Sequence, residues 1–278
     1  WGHAIRPTGV HLRGRSLLSL RTVEVGKPAV HLKMAMDVLT TSARRVVSSM
    51  SAQNGPYLSH LLASIQAADP ATRETLAIQP DHASAGLRSS TSPRANQLGA
   101  IVRPDPRIVA RSLPGAKEQS FGIWVCAALG ENLPGSHQTY LQHLVARFDG
   151  NTPRERAKSF LDAYIHALVP PLLRFTCTYG VVLEAHLQNM MVVHAGARIL
   201  GFVIRDLGGI RLCRPRLQQA GYNIDLAPGS FLVSPDHAEF LAKLTHTLLH
   251  AHLGSVIAWA QATCDADPNH PWQTVRRE

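Results

Sequence analysis

The chain has 278 residues, of which 45% are hydrophobic and 17% are charged, so it can bury a large core in one domain or two. No apolar run approaches the ~20 residues that a helix needs to cross a bilayer, which predicts a soluble protein without a membrane partner. The net charge is +9, but the Lys and Arg residues are dispersed, and an anionic small molecule explains them as well as nucleic acid does. We therefore expect small-molecule substrates and no nucleic-acid partner.

Cysteine usage and the first residue bear on where the protein works. The four cysteines are widely spaced, with no CxxC pair and no secretory hydrophobic segment at the start of the chain. This pattern favours a reducing cytoplasm, in which the cysteines are buried or bystander thiols. The chain opens with Trp1 rather than Met, so we expect a fragment of a longer protein.

Two strand-like segments come first. Residues 10–24, centred on SLLSLRTVEV, have strand character. Within them Ser19, Arg21 and Thr22 form a compact set of phosphate-binding groups, because Arg offers a planar fork of donors and the hydroxyls add short hydrogen bonds. Residues 31–38 alternate polar and apolar side chains, as a half-buried strand does.

Two further cations follow this set. Lys33, in the second segment, can reach a phosphate as a point charge, and Arg45 adds a second guanidinium. Taken alone, Lys33 has an ordinary alternative as a solvated strand residue, and that alternative stays open at this point.

Residues 44–68 then turn helical. Asn54, Gly55 and Pro56 predict a break, and an apolar stripe at helical spacing follows it. The stripe is expected to lie in the core.

The next stretch carries less pattern. Residues 69–99 are rich in Ser, Pro, Ala and Arg, which predicts a surface loop or broken strands. Short β-prone runs at 99–110 and 120–129 are expected to join the first two segments in one sheet. Pro104 should end the first run or confine it to an edge.

A capping box opens the second half of the chain. Thr152, Pro153 and Glu155 fit the N-cap, N1 and N3 positions of a helix. Pro170 and Pro171 are expected to interrupt this helix before it resumes.

A second helix start at residues 234–239 precedes a long amphipathic helix that continues to residue 259. This helix carries His246, His250 and His252, the first two at i,i+4 spacing. The carboxylate that an H-E-x-x-H metal motif places between its histidines is missing, so we expect ordinary surface histidines.

A hairpin between these helices carries most of the site-like residues. Apolar runs at 190–194 and 199–204 flank a short turn that contains Gly196, a pattern typical of a β-hairpin. Because a hairpin brings its open ends together, Asn189 and Asp206 are expected to meet. Carboxylate and amide oxygens gathered in this way suit Mg²⁺, which prefers a few oxygen ligands plus the phosphates of a substrate. A hairpin with solvated polar ends is the alternative.

Several separated motifs, in their order and spacing, resemble the NRPS-independent siderophore synthetases, the aerobactin-synthetase-like family. The resemblance covers nearly the whole chain, from about residue 17 to the closing segment 272–278. It departs at the start, because family members are considerably longer and their N-terminal part, which includes an HP-containing substrate-binding motif, is missing from this sequence. The matching motifs are Ser19-Leu20-Arg21-Thr22, Lys33, Thr41-Ser42-Ala43 with Arg45, Asn54-Gly55-Pro56, Glu184-Ala185-His186-Leu187-Gln188-Asn189 and Arg205-Asp206-Leu207-Gly208-Gly209.

The resemblance implies an α+β fold that is described as a hand. Residues 1–150 would form the fingers, an antiparallel sheet with helices that binds ATP and carboxylate. Residues 151–278 would form a mostly helical palm that carries the metal-binding hairpin and the C-terminal helices, and the thumb would be lacking. A homodimer is expected from the same resemblance.

The resemblance also implies a reaction. Such enzymes use ATP to adenylate one carboxylate of a polycarboxylic acid, often citrate, and pass the acyl group to an amine or hydroxyl, while pyrophosphate leaves. A carboxylate and a triphosphate repel one another, so the reaction needs several cations to bring them together. The family assigns three sets of residues in this chain: Ser19, Arg21, Thr22, Lys33 and Arg45 for the ATP phosphates or the reacting carboxylate, His186 and Gln188 beside them, and Glu184, Asn189 and Asp206 for Mg²⁺, with Arg45, His186 and Lys33 as catalytic residues.

These assignments carry expectations for variants. Arg21→Ala and Arg45→Ala should each abolish adenylation with little effect on folding. The carboxylates of Glu184 and Asp206 should repel one another until an ion binds, so Asp206→Asn should leave the empty protein as stable as before or slightly more stable.

Two other functions remain open from the sequence. A small-molecule phosphotransferase would also place H-x-x-N, here His186 and Asn189, ahead of a hairpin and an Asp after it. Against it, no Gly-rich loop lies upstream and the S-x-R-T strand has no place in that scheme. A truncated homologue that binds nucleotide or an iron-chelate precursor without turnover is supported by the missing N-terminal part.

Overall fold

The structure is a computed structural model that describes residues 8–36, 38–40, 43–86 and 97–278. Helices and largely antiparallel sheets form an α+β fold, which confirms the fold class expected from the sequence. Thr41 and Ser42, part of one motif above, lie outside the described residues. In chain order the strands are β1 (Gly14–Ser16), β2 (Thr22–Val25), β3 (Val30–Met34), β4 (Leu39–Thr40), β5 (Ala43–Arg44), β6 (Leu76–Ile78), β7 (Ala83–Ala85), β8 (Ala100–Pro104), β9 (Gly122–Val125), β10 (Val181–Val182), β11 (Met190–Ala195), β12 (Arg198–Ile204) and β13 (Arg211–Leu212).

The helices alternate with these strands in the first half and dominate the second half. None of the described helices is both long and apolar enough to span a lipid bilayer. A π-helical segment, Thr245–Gly254, joins two of the C-terminal helices. The helices are α1 (Ser49–Ala68), α2 (Pro106–Ala110), α3 (Tyr140–Val145), α4 (Pro153–Tyr179), α5 (Arg214–Gln219), α6 (His237–Leu244), α7 (Ser255–Cys264) and α8 (His270–Val275).

The first sheet is antiparallel, with strand order β1-β2-β3-β8-β7. Its strand β3 alternates as expected, but the polar side chains of His31 and Lys33 are the buried ones, while Met34 is exposed. The solvated-strand alternative is therefore wrong for Lys33. β8 pairs with β3 as expected and ends at Pro104, which has no N–H for the ladder.

The second sheet has strand order β6-β12-β11-β9, and the β11–β12 hairpin forms its centre. The hairpin is confirmed, with Gly196 in the left-handed region at φ 56°. Strand β9 pairs with β11, so the prediction that residues 120–129 join the first sheet is wrong. Local pattern identifies a strand but not its partner, because pairing is decided by contacts that are distant in sequence.

Along each strand of the hairpin the side chains alternate between two faces, and both faces are buried. Val192 and Phe202 face the main core beneath α4, where the Phe202 ring lies 4.8 Å from the Tyr164 ring. Met191 and Val203 face a smaller cluster that includes Leu113. Such central strands are apolar throughout, which explains the continuous hydrophobic runs in the sequence. Strands from before residue 150 thus pair with a hairpin from after it, and the expected division at that position stays a prediction.

Helix α1 runs straight through Asn54-Gly55-Pro56, so the predicted break is wrong. Pro56 has no N–H for the carbonyl of Ala52, and the Ser84 hydroxyl of β7 donates to that carbonyl instead. Gly55 lets the helix approach Asp81, since a β-carbon there would lie 2.6 Å from Asp81 Oδ2. The motif therefore docks α1 onto the first sheet.

Helix α4 begins with the expected capping box, in which the Thr152 side chain accepts from Glu155 N and the Glu155 side chain accepts from the backbone of Thr152. It is continuous to Tyr179, so the predicted interruption at Pro170 and Pro171 is wrong. Residues on both sides of the prolines, such as Leu168 and Leu172, are buried in the main core. We infer that this packing outweighs the two missing hydrogen bonds.

The C-terminal helices begin where the sequence predicts. The Asp236 side chain caps α6 by accepting from Glu239 N at 2.8 Å. His246 and His250 are exposed, as expected. His252 is wholly buried, so the expectation of a surface position is wrong for this residue.

Candidate active site

All the residues that the sequence analysis assigned to a site line a single cavity of about 470 Å³. Part of the lining comes from the turn before β2, from β3 and from β8. Further lining comes from residues within the range 36–47, from the start of α1 at Ser51, and from the open end of the β11–β12 hairpin with its flanking residues. The assigned residues in the lining are Ser19, Arg21, Thr22, Lys33, Arg45, Glu184, His186, Gln188, Asn189 and Asp206.

Backbone pairing delivers the first group. Thr22 and Lys33 are direct partners across β2 and β3. The carbonyl of Arg21 accepts from Met34 N at 2.8 Å, which fixes the turn that carries Ser19 and Arg21. The carbonyl of Arg45 accepts from Met36 N at 2.8 Å, so the chain beyond β5 returns to the end of β3.

The hairpin delivers the second group. Met190 pairs with Ile204, and one step further Arg205 N donates to the carbonyl of Asn189 at 3.0 Å. Asn189 and the residue before Asp206 are therefore joined at the open end, as a hairpin requires. The alternative of merely solvated ends is wrong for Asn189, which is 5% exposed.

Asp206 is the centre of a charge cluster in which the side chains of Lys33 and Arg103 are buried and that of Asp206 is 27% exposed. Lys33 Nζ donates to both of its carboxylate oxygens, at 2.6 and 2.7 Å, and Arg103 Nη2 approaches Oδ1 at 3.4 Å. Arg103 Nε also donates to Asp81 Oδ1 at 2.6 Å. Burial by itself would raise the pKa of Asp206, but Lys33 and Arg103 outweigh it and hold that pKa well below its usual range.

The pKa values of Lys33 and Arg103, two cations of this cluster, shift in opposite directions. Burial lowers the pKa of Lys33, although Asp206 opposes the change. Burial acts on Arg103 in the same sense, but there Asp206 and Asp81 prevail and raise the pKa. Each charged side chain of the cluster is therefore stabilised by the opposite charge of its ion-pair partner.

The backbone of Asp206 is itself unusual. Its φ of 69° and ψ of 81° place it in the left-handed region, which non-glycine residues seldom adopt. Asp tolerates this region better than most residues, and such conformations persist where surrounding contacts determine them. At Asp206 the ion pair with Lys33 is the contact that holds this backbone conformation and directs the carboxylate into the cavity.

Two arginines around the cluster are fixed by backbone carbonyls. Arg21 Nη1 donates to the carbonyl of Val46 at 2.6 Å, and Arg205 donates to the carbonyl of Gln188 at 3.3 Å through Nε and 3.0 Å through Nη2. Burial lowers the pKa of both guanidinium groups, while Asp206 opposes the change. Their positions are therefore set before any ligand arrives.

Glu184 and Asn189 form the other oxygen-rich wall. Asn189 Nδ2 donates to the Glu184 carbonyl at 3.2 Å and to Glu184 Oε2 at 3.4 Å, and Lys243 Nζ from α6 donates to Glu184 Oε1 at 2.5 Å. Gly209 provides the room, because a β-carbon there would lie 2.0 Å from Glu184 Oε2. Both contacts of Asn189 use its amide nitrogen, so its amide oxygen is the remaining ligand atom.

His186 lies beside this wall. Burial lowers the pKa of its imidazole, with Glu184 opposing and Lys243 adding to the change. The ring is therefore neutral at neutral pH. A neutral imidazole can donate or accept a hydrogen bond without adding charge to the cavity.

A buried network supports the segment that carries Glu184 and His186. His252, in the π-helical segment, donates from Nδ1 to the Ala185 carbonyl at 2.8 Å, and its Nε2 lies 2.7 Å from the hydroxyl of Tyr164 in α4. With Nδ1 as the donor, Nε2 must accept from the tyrosine. Burial lowers the pKa of His252 to about 4, which keeps it in this neutral form.

Sequence reasoning missed Asp81, Arg103, Lys243 and the buried position of His252. Arg103 follows Ile101 by two positions on β8, and the buried Ile101 marks their shared face, but only the pairing of β8 with β3 brings Arg103 to Asp206. Lys243 and His252 approach from C-terminal helices, and no local pattern separates them from surface residues.

The donor set fits a magnesium ion bound together with a phosphate ligand. No group of three or more His, Cys, Asp or Glu side chains suited to a metal exists in the described part of the chain. Glu184, Asn189 and Asp206 instead offer two carboxylates and an amide in the lining of one cavity. Mg²⁺ is usually held by one or two carboxylates plus substrate phosphates rather than by an all-protein cage.

Two family models match the chain, and each covers one of the two groups of site residues. Residues 3–129 match the model of the IucA / IucC family, and residues 158–278 match a model described as ferric iron reductase FhuF-like transporter. The staphyloferrin A synthase of Staphylococcus aureus (strain NCTC 8325 / PS 47) is 29% identical over 252 residues, which is 90% of this chain and 40% of that protein. The NRPS-independent siderophore synthetase rfs of Rhizopus delemar is 28% identical over 257 residues, 88% of this chain and 38% of that protein.

Solved structures support the fold. The petrobactin biosynthesis protein AsbB from Bacillus anthracis superposes with a TM-score of 0.81 at 15% identity, over 95% of this chain and 44% of that one. The ATP-bound aerobactin synthetase IucA from Klebsiella pneumoniae superposes with a TM-score of 0.74 at 22% identity, over 95% and 46%.

The chain spans about 40% of the length of the curated relatives it matches. Within that span, one matched region contains Arg21, Lys33 and Arg45, and the other contains the β11–β12 hairpin. The match of residues 3–129 to the IucA / IucC family model and the similarity to siderophore synthetases over most of the chain support membership of the NRPS-independent siderophore synthetase family.

Proposed function

We propose that this chain carries the nucleotide and carboxylate site of an ATP-dependent siderophore synthetase. The enzyme would adenylate one carboxylate of a citrate-like polycarboxylic acid and condense it with an amine or hydroxyl nucleophile. The names of similar proteins support this class, since they include a D-ornithine–citrate ligase and an L-2,3-diaminopropanoate–citrate ligase, both of Staphylococcus aureus (strain NCTC 8325 / PS 47). Cytoplasmic location and homodimerisation remain expectations.

One observation carries the proposal: cations outnumber carboxylates in the cavity lining. Among the residues that the structure describes, the cations of the lining are Arg21, Lys33, Arg45, Arg103 and Arg205, and the carboxylates are Glu184 and Asp206, a ratio of five to two. A cavity with this excess favours a polyanion over a neutral ligand. A nucleoside triphosphate beside a polycarboxylate is such a combination.

The reaction needs two displacements. In the first, a substrate carboxylate oxygen forms a bond to the α-phosphorus of ATP and the bond to pyrophosphate breaks. In the second, the amine or hydroxyl forms a bond to the acyl carbon, AMP leaves and the nucleophile loses a proton. Both steps move negative charge, so fixed cations around the cavity lower the barrier by stabilising it where it develops.

Each group of residues has a role in this scheme. Ser19, Arg21, Thr22, Lys33 and Arg45 would bind the phosphates or the reacting carboxylate. His186 and Gln188 lie beside them, and the neutral imidazole can accept or donate a proton at the reacting groups. Glu184, Asn189 and Asp206 would hold Mg²⁺, which would neutralise phosphate charge when bound.

The test is product analysis with hydroxylamine as the nucleophile. The protein is incubated with Mg-ATP, citrate and hydroxylamine, and we expect a hydroxamate together with AMP and pyrophosphate. ADP with a phosphorylated product would overturn the proposal in favour of a phosphotransferase. Nucleotide binding without either product, in a protein completed to the length of its relatives, would favour the non-catalytic homologue.

Arg45→Ala sharpens this test, because Arg45 is an exposed arginine of the cavity lining. Its matched control is Arg73→Ala, which removes an exposed arginine outside that lining. We expect Arg45→Ala to lose nucleotide-dependent product and Arg73→Ala to retain it.

A further inference from the structure

Lys33 occupies the oxygen atoms that a metal ion would need. Its ammonium donates to Asp206 Oδ1 at 2.6 Å and to Oδ2 at 2.7 Å, and the lysine side chain is only 10% exposed. Lys33 also lines the cavity, which places it beside a ligand bound there. Asp206 therefore already has a cation before any ligand binds.

Glu184 is held differently. Its partner Lys243 belongs to α6 and is not part of the cavity lining in the described chain. Lys243 therefore orients Glu184 from a position outside this lining, whereas Lys33 and its partner Asp206 both belong to the lining. The two lysines are not equivalent.

We propose that Lys33 acts as an internal counter-cation that makes divalent-metal binding at Asp206 conditional on a polyphosphate. This inference rests on the proposed nucleotide site. A divalent ion arriving alone must displace the largely buried ammonium of Lys33 from a half-buried carboxylate, with no new partner offered to that ammonium. A polyphosphate supplies oxygen atoms for Lys33, and the released carboxylate oxygens then become ligands for the ion.

Arg103 makes the exchange feasible. It stays bound to the buried Asp81 through Nε, while its Nη2 remains beside Asp206. When Lys33 moves to a phosphate, Asp206 is therefore not left as an isolated buried charge. Because linkage is reciprocal, the metal should favour polyphosphate binding by the same factor by which the polyphosphate favours the metal.

A lysine that only binds phosphate would behave differently. Without the counter-cation role, removing Lys33 weakens polyphosphate binding and leaves the affinity for the metal alone unchanged. With that role, removing Lys33 weakens polyphosphate binding and strengthens binding of the metal alone. The sign of the change in metal affinity separates the two.

The experiment titrates the protein with Mn²⁺, followed by electron paramagnetic resonance, in the absence and presence of inorganic pyrophosphate. In the unaltered chain we expect pyrophosphate to raise the Mn²⁺ affinity by a factor of about 5 to 150. Lys33→Met should bind Mn²⁺ alone at least about fivefold more tightly than the unaltered chain, and pyrophosphate should then add little. The double variant Lys33→Met/Asp206→Asn should lose the gain, which assigns it to Asp206.

Lys158→Met is the matched control, because Lys158 pairs with Asp162 on α4 and is exposed. It should leave both Mn²⁺ affinities unchanged. If Lys33→Met does not fold, Lys33→Gln is measured instead, since it keeps a donor for Asp206 and removes only the charge. Unchanged or weaker binding of Mn²⁺ alone in the folded variant would overturn the inference.

This outcome is distinguishable from failure of the proposed function. Mn²⁺ and pyrophosphate that bind independently would remove the counter-cation role and leave the synthetase proposal intact. ADP formation in the hydroxylamine assay would overturn the synthetase proposal, while conditional Mn²⁺ binding would still describe a metal and phosphate site.

Discussion

The carboxylate of Glu184 lies so close to the α-carbon of Gly209 that a β-carbon at position 209 would lie 2.0 Å from Glu184 Oε2. Gly209 is not one of the residues with positive φ, so alanine is allowed by its backbone. We expect Gly209→Ala to fold normally, because the flexible end of Glu184 can move, and to weaken binding of Mn²⁺ with pyrophosphate at least about tenfold. Calorimetric titration measures the loss.

Gly208→Ala provides the control for this variant. A β-carbon at position 208 meets only Asp206 Oδ1, at 3.6 Å, which is ordinary contact. The affinity should therefore be retained. Equal losses in the two variants would show that the turn tolerates no side chain at all, and the specific role of Glu184 would be withdrawn.

Asp206→Asn should lower both the stability and the ligand response. The substitution leaves Lys33 and Arg103 without their shared carboxylate in a buried cluster, and breaking such a pair costs about 3–5 kcal/mol. The added stability that Mg-ATP confers by binding the native state should also disappear. Thermal melts with and without Mg-ATP report both effects.

This expectation reverses the one drawn from the sequence, which held that the empty protein would be as stable as before. The sequence argument assumed two carboxylates that repel one another. In the structure Lys33 neutralises Asp206 and Lys243 neutralises Glu184. An Asp206→Asn variant with unchanged melting temperature would contradict the ion-pair account.

Arg21→Ala and Arg45→Ala should differ in stability although both line the cavity. Arg21 is partly buried and donates to the carbonyl of Val46, so its loss leaves an acceptor unpaired at a cost of about 1–3 kcal/mol. Arg45 is exposed, and interactions of an exposed charged side chain contribute at most about 1 kcal/mol, so its substitution should cost less stability than that of Arg21. Urea unfolding measures both values.

Nucleotide affinity should fall in both of these variants, since each loses a cation of the lining. The sequence analysis expected little effect on folding from either. A full-strength Mg-ATP response in Arg45→Ala would return that residue to the general surface.

Two buried histidines predict acid sensitivity. Burial lowers the pKa of His194 and of His252 to about 4, whereas an unfolded histidine titrates near 6.5. The unfolded state therefore binds more protons in this window, and stability should be complete above pH ~6.5 and be lost as the pH falls toward ~4, by up to about 3 kcal/mol per histidine. Urea unfolding at several pH values measures the slope.

Leucine at each position separates the contributions. Neither ring nitrogen of His194 has a hydrogen-bond partner in the described chain, so His194→Leu should preserve or raise the stability at neutral pH and reduce the acid slope. His252→Leu should lower stability at neutral pH, because it strands the Tyr164 hydroxyl and the Ala185 carbonyl. An unchanged slope in His194→Leu would show that His194 is protonated equally in both states.

The hairpin and the capping box were predictable because their signals are local. The spacing around Gly196 and the order Thr152-Pro153-Glu155 each specify a backbone conformation without reference to distant residues. The family resemblance nominated the site residues, and the structure brings them to one cavity, while their roles stay predictions.

Other features depend on partners that are distant in sequence. Arg103 becomes a site residue through strand pairing, and His252 is buried because α4 covers it. Pro56 is tolerated in α1 because the Ser84 hydroxyl reaches the carbonyl that proline leaves without a donor. No periodicity in the chain encodes these contacts.

Lys33 lies in β3 of the first sheet, whereas Asp206 follows β12 of the second sheet, and 173 positions separate the two residues. Closing so long a loop is slow, because its entropy is lost before the contact is gained. Helix α4 and the hairpin depend on local contacts and can form before the first sheet docks. Ligand binding should therefore return in the last phase of refolding, after helical structure has recovered, and a partly folded chain would bind neither metal nor phosphate.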